Sequence, residues 1–248
     1  MIIVDEQRKA QSNRQRVSVL IPLLFVILLW IIQLLQWGTN ADFGRLGIFP
    51  RSFTGLGGIF FSPLIHGSWA HLASNTIPLL VLGFMMIYFY RHIAYRVVLW
   101  IWLIDGIGVW LIGRDAYHIG ASGIVYGMAS FLFFSGILRK NRQLLALSLA
   151  VVFIYGSMIW GMLPYVVEIS WEAHLIGFLS GIFFAVYYRK QGPPDDPIPA
   201  WMIESESEGE SDLSSGALAK EEDGSNGEEK KIDVHYIFPP KGNGENKD

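Results

Sequence analysis

The chain contains no cysteine among its 248 residues. Disulfides, thiol nucleophiles and cysteine-bearing metal sites are therefore excluded, although this absence does not fix a redox compartment. Charge is scarce too, at 17% of residues against 52% hydrophobic. It is also unevenly spread. Up to Lys190 there are 14 basic and 7 acidic residues, and from Gln191 onward there are 5 and 15. A basic, apolar body and an acidic tail imply two physical environments beneath a formal net charge of −3. Internal repeats are absent, as is the regular alternation of a membrane β-barrel.

Long apolar runs are what the sequence has in abundance. A helix crossing the hydrocarbon needs about 20 mostly apolar residues, and six runs are near that length: Val17–Trp37, Trp69–Tyr90, Ile93–Ile112, Gly120–Leu138, Leu144–Leu163 and Trp171–Tyr188. Trp37, Trp69, Tyr90, Trp171 and Tyr188 fall at run ends, where interfacial aromatics belong. Backbone amides in lipid must bond within their own segment, so the expected fold is an all-α membrane bundle of six helices. The first run follows sixteen mostly polar residues and lacks a small-residue cleavage pattern after it, so it reads as a retained helix and not a signal peptide.

Arginine and lysine set the expected orientation. The segments before span 1, between 2 and 3, between 4 and 5, and after 6 hold eleven of them, from Arg8 to Lys190. The opposite loops hold Arg45, Arg51 and Arg114. This imbalance predicts both termini in the cytoplasm. The predicted organisation is a cytoplasmic segment over 1–16, a membrane core over 17–190, and an acidic tail over 191–248. The tail combines low hydrophobicity with high charge (ESESEGESDLSSG, EEDGSNGEEKK), which predicts disorder. Within it, Ile232, Val234, Tyr236 and Phe238 alternate in KIDVHYIFPP, a pattern able to add as a strand to a partner.

Orientation brings polar residues to one depth. Spans 2, 4 and 6 run inward from the outer face, so His71 and Asn75, Ser122, and His174 lie within roughly two helical turns of that face. Polar groups in a membrane tend to face the bundle interior or a water-filled cavity. Four of them on three helices predict one site. Among other histidines, His92 and His235 fall on the far side, His118 reads as a solvated loop residue, and His66 as a structural hydrogen-bonding residue of the outer loop. His174 is the best general base for Ser122.

Spacing supports close approach. His174, Gly177 and Gly181 fall at i, i+3 and i+7 on one helical face. Gly123 and Gly127 offer a matching small pair on span 4. Taken singly, such pairs more often serve packing alone, and a membrane serine usually bonds its own helix. Tyr126, one turn below Ser122, is placed to pack on the His174 ring. A serine hydroxyl becomes nucleophilic when a base takes its proton. The developing oxyanion then needs donors, and His71 and Asn75, at i and i+4, project from one face toward it.

Other hydrolytic chemistries fit poorly. HGSWAH puts His66 and His71 five apart without a glutamate, unlike H-E-x-x-H. An aspartyl pair would need two membrane carboxylates, whereas the spans hold Asp105 and, at an outer end, Glu172. Gly120-Ala121-Ser122-Gly123-Ile124 fails the G-x-S-x-G elbow. Asp105 reads as a buried partner for a polar neighbour and as a weak third triad member. No metal, cofactor or nucleic acid is expected.

GASG at Gly120–Gly123, AHLIGFLSG at Ala173–Gly181 and HGSWAHLASN at His66–Asn75 together resemble the motifs of the rhomboid family of intramembrane serine proteases. The resemblance covers Val17 to Lys190. It implies a Ser122–His174 dyad without an aspartate, His71 and Asn75 at the oxyanion, and Tyr126 stacked under the histidine. It also implies substrates that are membrane proteins, cut in or beside a transmembrane segment. The expected setting is a bacterial inner membrane, with the active site near the outer face. The alternatives are a catalytically inactive relative that binds membrane-protein clients and, more distantly, a small transporter. Spans 4 to 6 lack the charged residues that ion pathways usually need. One departure stands out. Many members carry a Trp-Arg pair about nine residues before the first histidine of that motif, where this chain has Gly57-Gly58. Arg51 and Trp69 are the candidates to replace its anchoring.

Overall fold

A computed structural model describes residues 2–139, 141–164 and 169–192, all within one compact unit, Met1–Asp196. The acidic tail and the KIDVHYIFPP segment lie outside the described residues. Among the described residues seven α-helices follow in order: α1 Ile2–Thr39, a short α2 Gly58–Phe61, α3 Trp69–Phe89, α4 Ala94–Ile112, α5 Ser122–Leu138, α6 Arg142–Tyr155 and α7 Trp171–Tyr187. Among the described residues no strand forms, and the one β-type pairing is Ile48 with His118.

Among the described residues, four stretches are long and apolar enough to cross a membrane: Gln11–Thr39, Trp69–Phe89, Ala94–Ile112 and Arg142–Met162. Large apolar side chains such as Leu24, Ile77, Leu111 and Phe153 stand exposed along them. An apolar surface of that extent requires lipid in place of water. The protein is therefore a multi-pass membrane protein. The two remaining expected runs form helices α5 and α7 of 17 residues each, or about 25 Å at the usual helical rise.

Helix limits depart from the apolar runs for local reasons. The first helix extends back through the polar N-terminal residues to Ile2 and runs unbroken across residue 16. Helix α5 starts at Ser122, two residues inside its run, because Gly120 takes φ +111° and breaks the helix before it. After Tyr155 the chain tightens into a 3-10 helix over Gly156–Met162, which re-aims its carbonyls toward α5 and α7.

Packing places α5 at the centre. It buries eleven residues, Tyr126, Met128 and Phe131 among them, consistent with a helix apolar all round. Its most extensive partner is α7. Elsewhere, Gly83 on α3 lets the Pro22 ring of α1 come close. Arg14 on α1 bonds the Tyr88 carbonyl, Nε at 2.7 Å, and lies over the Tyr88 ring. That places a cation at the C-terminal end of α3, where the helix dipole favours it.

The loop from residue 40 to 68 shows why a glycine stands at 58, whereas a Cβ on Gly57 would meet only Phe61 Cδ2 at 4.0 Å. A Cβ on Gly58 would collide with the backbone of Gly47 and Ile48, so no large side chain fits there. Anchoring passes to Arg51, whose Nη1 donates to the Gly113 carbonyl at 2.7 Å and whose Nη2 pairs with Asp115. Trp110 Nε1 donates to the Ser52 carbonyl at 2.9 Å. Trp69 packs on Trp30 instead, with ring centroids 5.8 Å apart.

Candidate active site

Ser122 opens α5 and His174 lies in the first turn of α7. Glycines hold these two helices together. A Cβ on Gly177 would overlap the Gly123 carbonyl, and one on Gly181 would overlap the Gly127 carbonyl. The backbones touch at both levels, as small residues permit in lipid. At the first level this contact brings a short serine side chain to the imidazole. Ser122 Oγ lies 2.8 Å from His174 Nε2.

The other ring nitrogen is held as well. His174 Nδ1 lies 2.8 Å from the Gly161 carbonyl. A carbonyl oxygen only accepts, so Nδ1 carries the proton and Nε2 offers its lone pair to the serine hydroxyl. Tyr126 stacks on the imidazole, ring centroids 4.1 Å apart and planes 11° apart. Its hydroxyl donates to the Met158 carbonyl at 2.6 Å. Both carbonyls belong to the 3-10 helix after α6, so that segment orients the stacked pair. A Cβ on Gly161 would strike the Tyr126 hydroxyl and come within 3.1 Å of His174 Nδ1. For Tyr126→Phe, the stack is expected to survive while one bond to the 3-10 helix is lost. Stability should fall by the roughly 1 kcal/mol of one neutral hydrogen bond. Unfolding of the purified variant beside the parent would measure this.

His71 reaches the same place from α3. The Gly120 φ of +111° is one that side chains rarely adopt, and a Cβ there would lie 2.6 Å from His71 Cε1. The imidazole thus sits against the chain two residues before Ser122. Asn75 is buried, and its Nδ2 donates to the His71 carbonyl at 3.0 Å. One amide hydrogen of Asn75 remains for another acceptor. The Gly120 amide bonds the Ser62 carbonyl at 2.8 Å, fixing the approach to α5.

Three residues differ from their sequence-based readings. His118 is buried, not a solvated loop residue, at 4% exposure. Its Nδ1 meets Ser170 Oγ at 2.6 Å and its Nε2 meets the Arg114 carbonyl at 3.0 Å. His66 is buried, yet neither ring nitrogen has a hydrogen-bond partner. Its ring packs edge-on to His71 with centroids 5.0 Å apart. Burial, and then the neighbouring His71, lowers its pKa to about 3, so it packs as a neutral ring. Asp105 abuts Gly123, whose Cβ would overlap its carboxyl group, and its Oδ1 has no hydrogen-bond partner. The third position beside the histidine belongs to the Gly161 carbonyl and not to Asp105.

Sequence reasoning missed the backbone acceptors Gly161 and Met158, which no residue type marks. It also missed Ser170 and the partner of Glu172. Ser170 caps α7 by accepting from the Ala173 amide, and Glu172 Oε1 accepts from the Arg114 amide at 3.3 Å. A serine directly before an apolar run was the available signal for the cap. Among the described residues, no group of three or more metal-ligating side chains occurs.

Residues 54–191 match the model of the rhomboid domain. The chain is 36% identical over 172 residues to two uncharacterized proteins, Rv1337 of Mycobacterium tuberculosis and Mb1372 of Mycobacterium bovis. These alignments cover 66% of this chain and 72% of each relative. It is 34% identical over 173 residues to the uncharacterized protein ML1171 of Mycobacterium leprae, covering 66% of this chain and 68% of the relative. A multi-pass helical membrane protein with such a match belongs to a defined class. This chain is a member of the rhomboid family, whose members are generally intramembrane serine proteases.

Proposed function

We propose that this chain is an intramembrane serine endopeptidase that cleaves transmembrane proteins in or beside their membrane segment. The single observation that carries the reading is the 2.8 Å contact between Ser122 Oγ and His174 Nε2. In this mechanism His174 takes the hydroxyl proton as Ser122 attacks the scissile carbonyl. The resulting imidazolium is steadied by its Nδ1–H bond to the Gly161 carbonyl and by the Tyr126 face. His71, Asn75 and the Ser122 amide, near the start of α5, stabilise the oxyanion. His174 then protonates the leaving amine, and water repeats the sequence on the acyl-enzyme. No metal or cofactor enters. A client-binding relative without activity would not need the dyad held at hydrogen-bonding distance.

In the same proposal, α1, α3, α4, α5, the α6 segment and α7 make six crossings in a core over 17–190. Both termini lie in the cytoplasm, and the dyad lies near the outer face. The lysine and arginine imbalance supports that orientation. The tail over 191–248 lies on the cytoplasmic side. Incubating the purified chain with a labelled single-pass substrate tests the activity. The parent is expected to release a membrane-boundary fragment and Ser122→Ala is expected to release none. Equal cleavage by the two would refute the serine mechanism.

A further inference from the structure

A second bonded pair stands four residues upstream of the first. His118 precedes Ser122 by four residues and Ser170 precedes His174 by four. His118 and Ser170 meet at 2.6 Å, as Ser122 and His174 meet at 2.8 Å. One bond joins the side chains that would react. The other joins the segments leading into the two helices that carry them.

Each partner of the upstream bond is itself tied down. The His118 backbone pairs in both directions with Ile48, its amide to the Ile48 carbonyl at 2.9 Å and the Ile48 amide to its carbonyl at 3.0 Å. His118 Nε2 faces the Arg114 carbonyl, an acceptor only, so that nitrogen carries the proton. Burial lowers the His118 pKa, opposed by the Arg114 carbonyl bond and the Glu172 charge. The neutral ring's Nδ1 then accepts from the Ser170 hydroxyl. Ser170 Oγ in turn accepts from the Ala173 amide at 3.4 Å as the cap of α7. Arg114 closes the frame, with Nη2 donating to the Ile169 carbonyl at 2.6 Å and its amide donating to Glu172 Oε1.

The glycine contacts between α5 and α7 fix how near the helices lie. Against sliding along the axis, Ser130 Oγ on α5 donates to the Phe178 carbonyl of α7 at 2.8 Å, roughly two turns beyond Ser122. The strut between the two helix entrances resists sliding at the end that carries Ser122 and His174. We propose that His118 and Ser170 are positioning residues for the Ser122–His174 pair, setting the axial register of α5 against α7. This rests on the protease reading, because the register matters only if a proton moves between those side chains. A misplacement of about 1 Å can cost roughly a hundredfold in rate.

The test uses the full chain in liposomes with a labelled transmembrane substrate, alongside the parent and Ser122→Ala. His118→Phe keeps a ring without nitrogens, Ser170→Ala removes the hydroxyl, and Ser170→Thr restores it. Each of the first two is expected to lower kcat by roughly ten- to a hundredfold with KM within about twofold. The double variant should be no slower than its slower parent, because both changes break the same bond. Ser170→Thr should recover most of the rate. Parental kcat in both single variants overturns the inference while leaving the protease reading intact. So do losses that simply add, or a Ser170→Thr variant as slow as Ser170→Ala. The Ala and Thr comparison decides the matter even if His118→Phe does not fold. A parent that cuts no more than Ser122→Ala overturns both readings.

Discussion

His174→Ala is expected to lower cleavage by roughly four to six orders of magnitude, the scale seen when a serine hydrolase loses its base. The serine hydroxyl would keep its place at the head of α5 but lose the Nε2 lone pair 2.8 Å away. It would also lose the acid that protonates the leaving amine. Residual activity would come from the oxyanion donors and substrate binding alone. Adding Ser122→Ala to this variant should cost almost nothing further, since the two groups act as one unit. Initial rates for the two single variants and the double variant measure this directly. Independent, multiplying losses would show that the pair does not act together. Thermal unfolding should change little beside the kinetic effect, because the histidine contributes one of many contacts between α5 and α7.

The second large effect is expected at Gly177. A Cβ there would overlap the Gly123 carbonyl and lie 3.1 Å from the Gly123 Cα. Both groups are backbone, so neither can rotate away and the helices must part. Overpacking of this kind typically costs about 1–3 kcal/mol, which a bundle buried on many sides can tolerate. The proposed catalysis would not, since widening the gap carries His174 away from Ser122 and a misplacement of about 1 Å can cost roughly a hundredfold in rate. Gly177→Val should therefore reduce turnover far more than it reduces the yield of folded protein, and Gly177→Ala should do the same to a smaller degree. Gly38→Ala, on α1, is the matched control. Its added methyl would meet nothing within 4 Å, and parental activity is expected. Turnover and folded yield, measured on the same preparations, separate the two effects. A fully active Gly177→Val would remove close backbone packing as the reason the site assembles.

Much was legible along the chain. The apolar runs foretold helices, and the motifs singled out Ser122 and His174, which the fold brings within 2.8 Å. Helical period placed Gly177 and Gly181 on the face of His174. These inferences succeed because rise per residue and the demand for internal backbone bonding are properties of the chain itself. His118 shows where they stop. A histidine at the edge of a loop, four residues before Ser122, reads as a solvated loop residue from its place in the sequence. Its burial comes from Ser170, Arg114 and Ile48, which are brought over it only by the fold. The orphaned ring nitrogens of His66 were equally hidden, because hydrogen-bond partners belong to the environment and not to the residue.

By itself, the sequence determined a helical membrane protein, its family, and the identity of a serine and a histidine at one level. Those follow from hydrophobicity, periodicity and motif spacing, which are local along the chain. The tertiary structure alone decided the histidine tautomer, through the Gly161 carbonyl, and the loop anchor, through Arg51. It also decided the His118–Ser170 strut. Each of these depends on which atoms from distant segments come within hydrogen-bonding reach. That is settled by packing, where tenths of an ångström count and spacing along the chain carries no record of them.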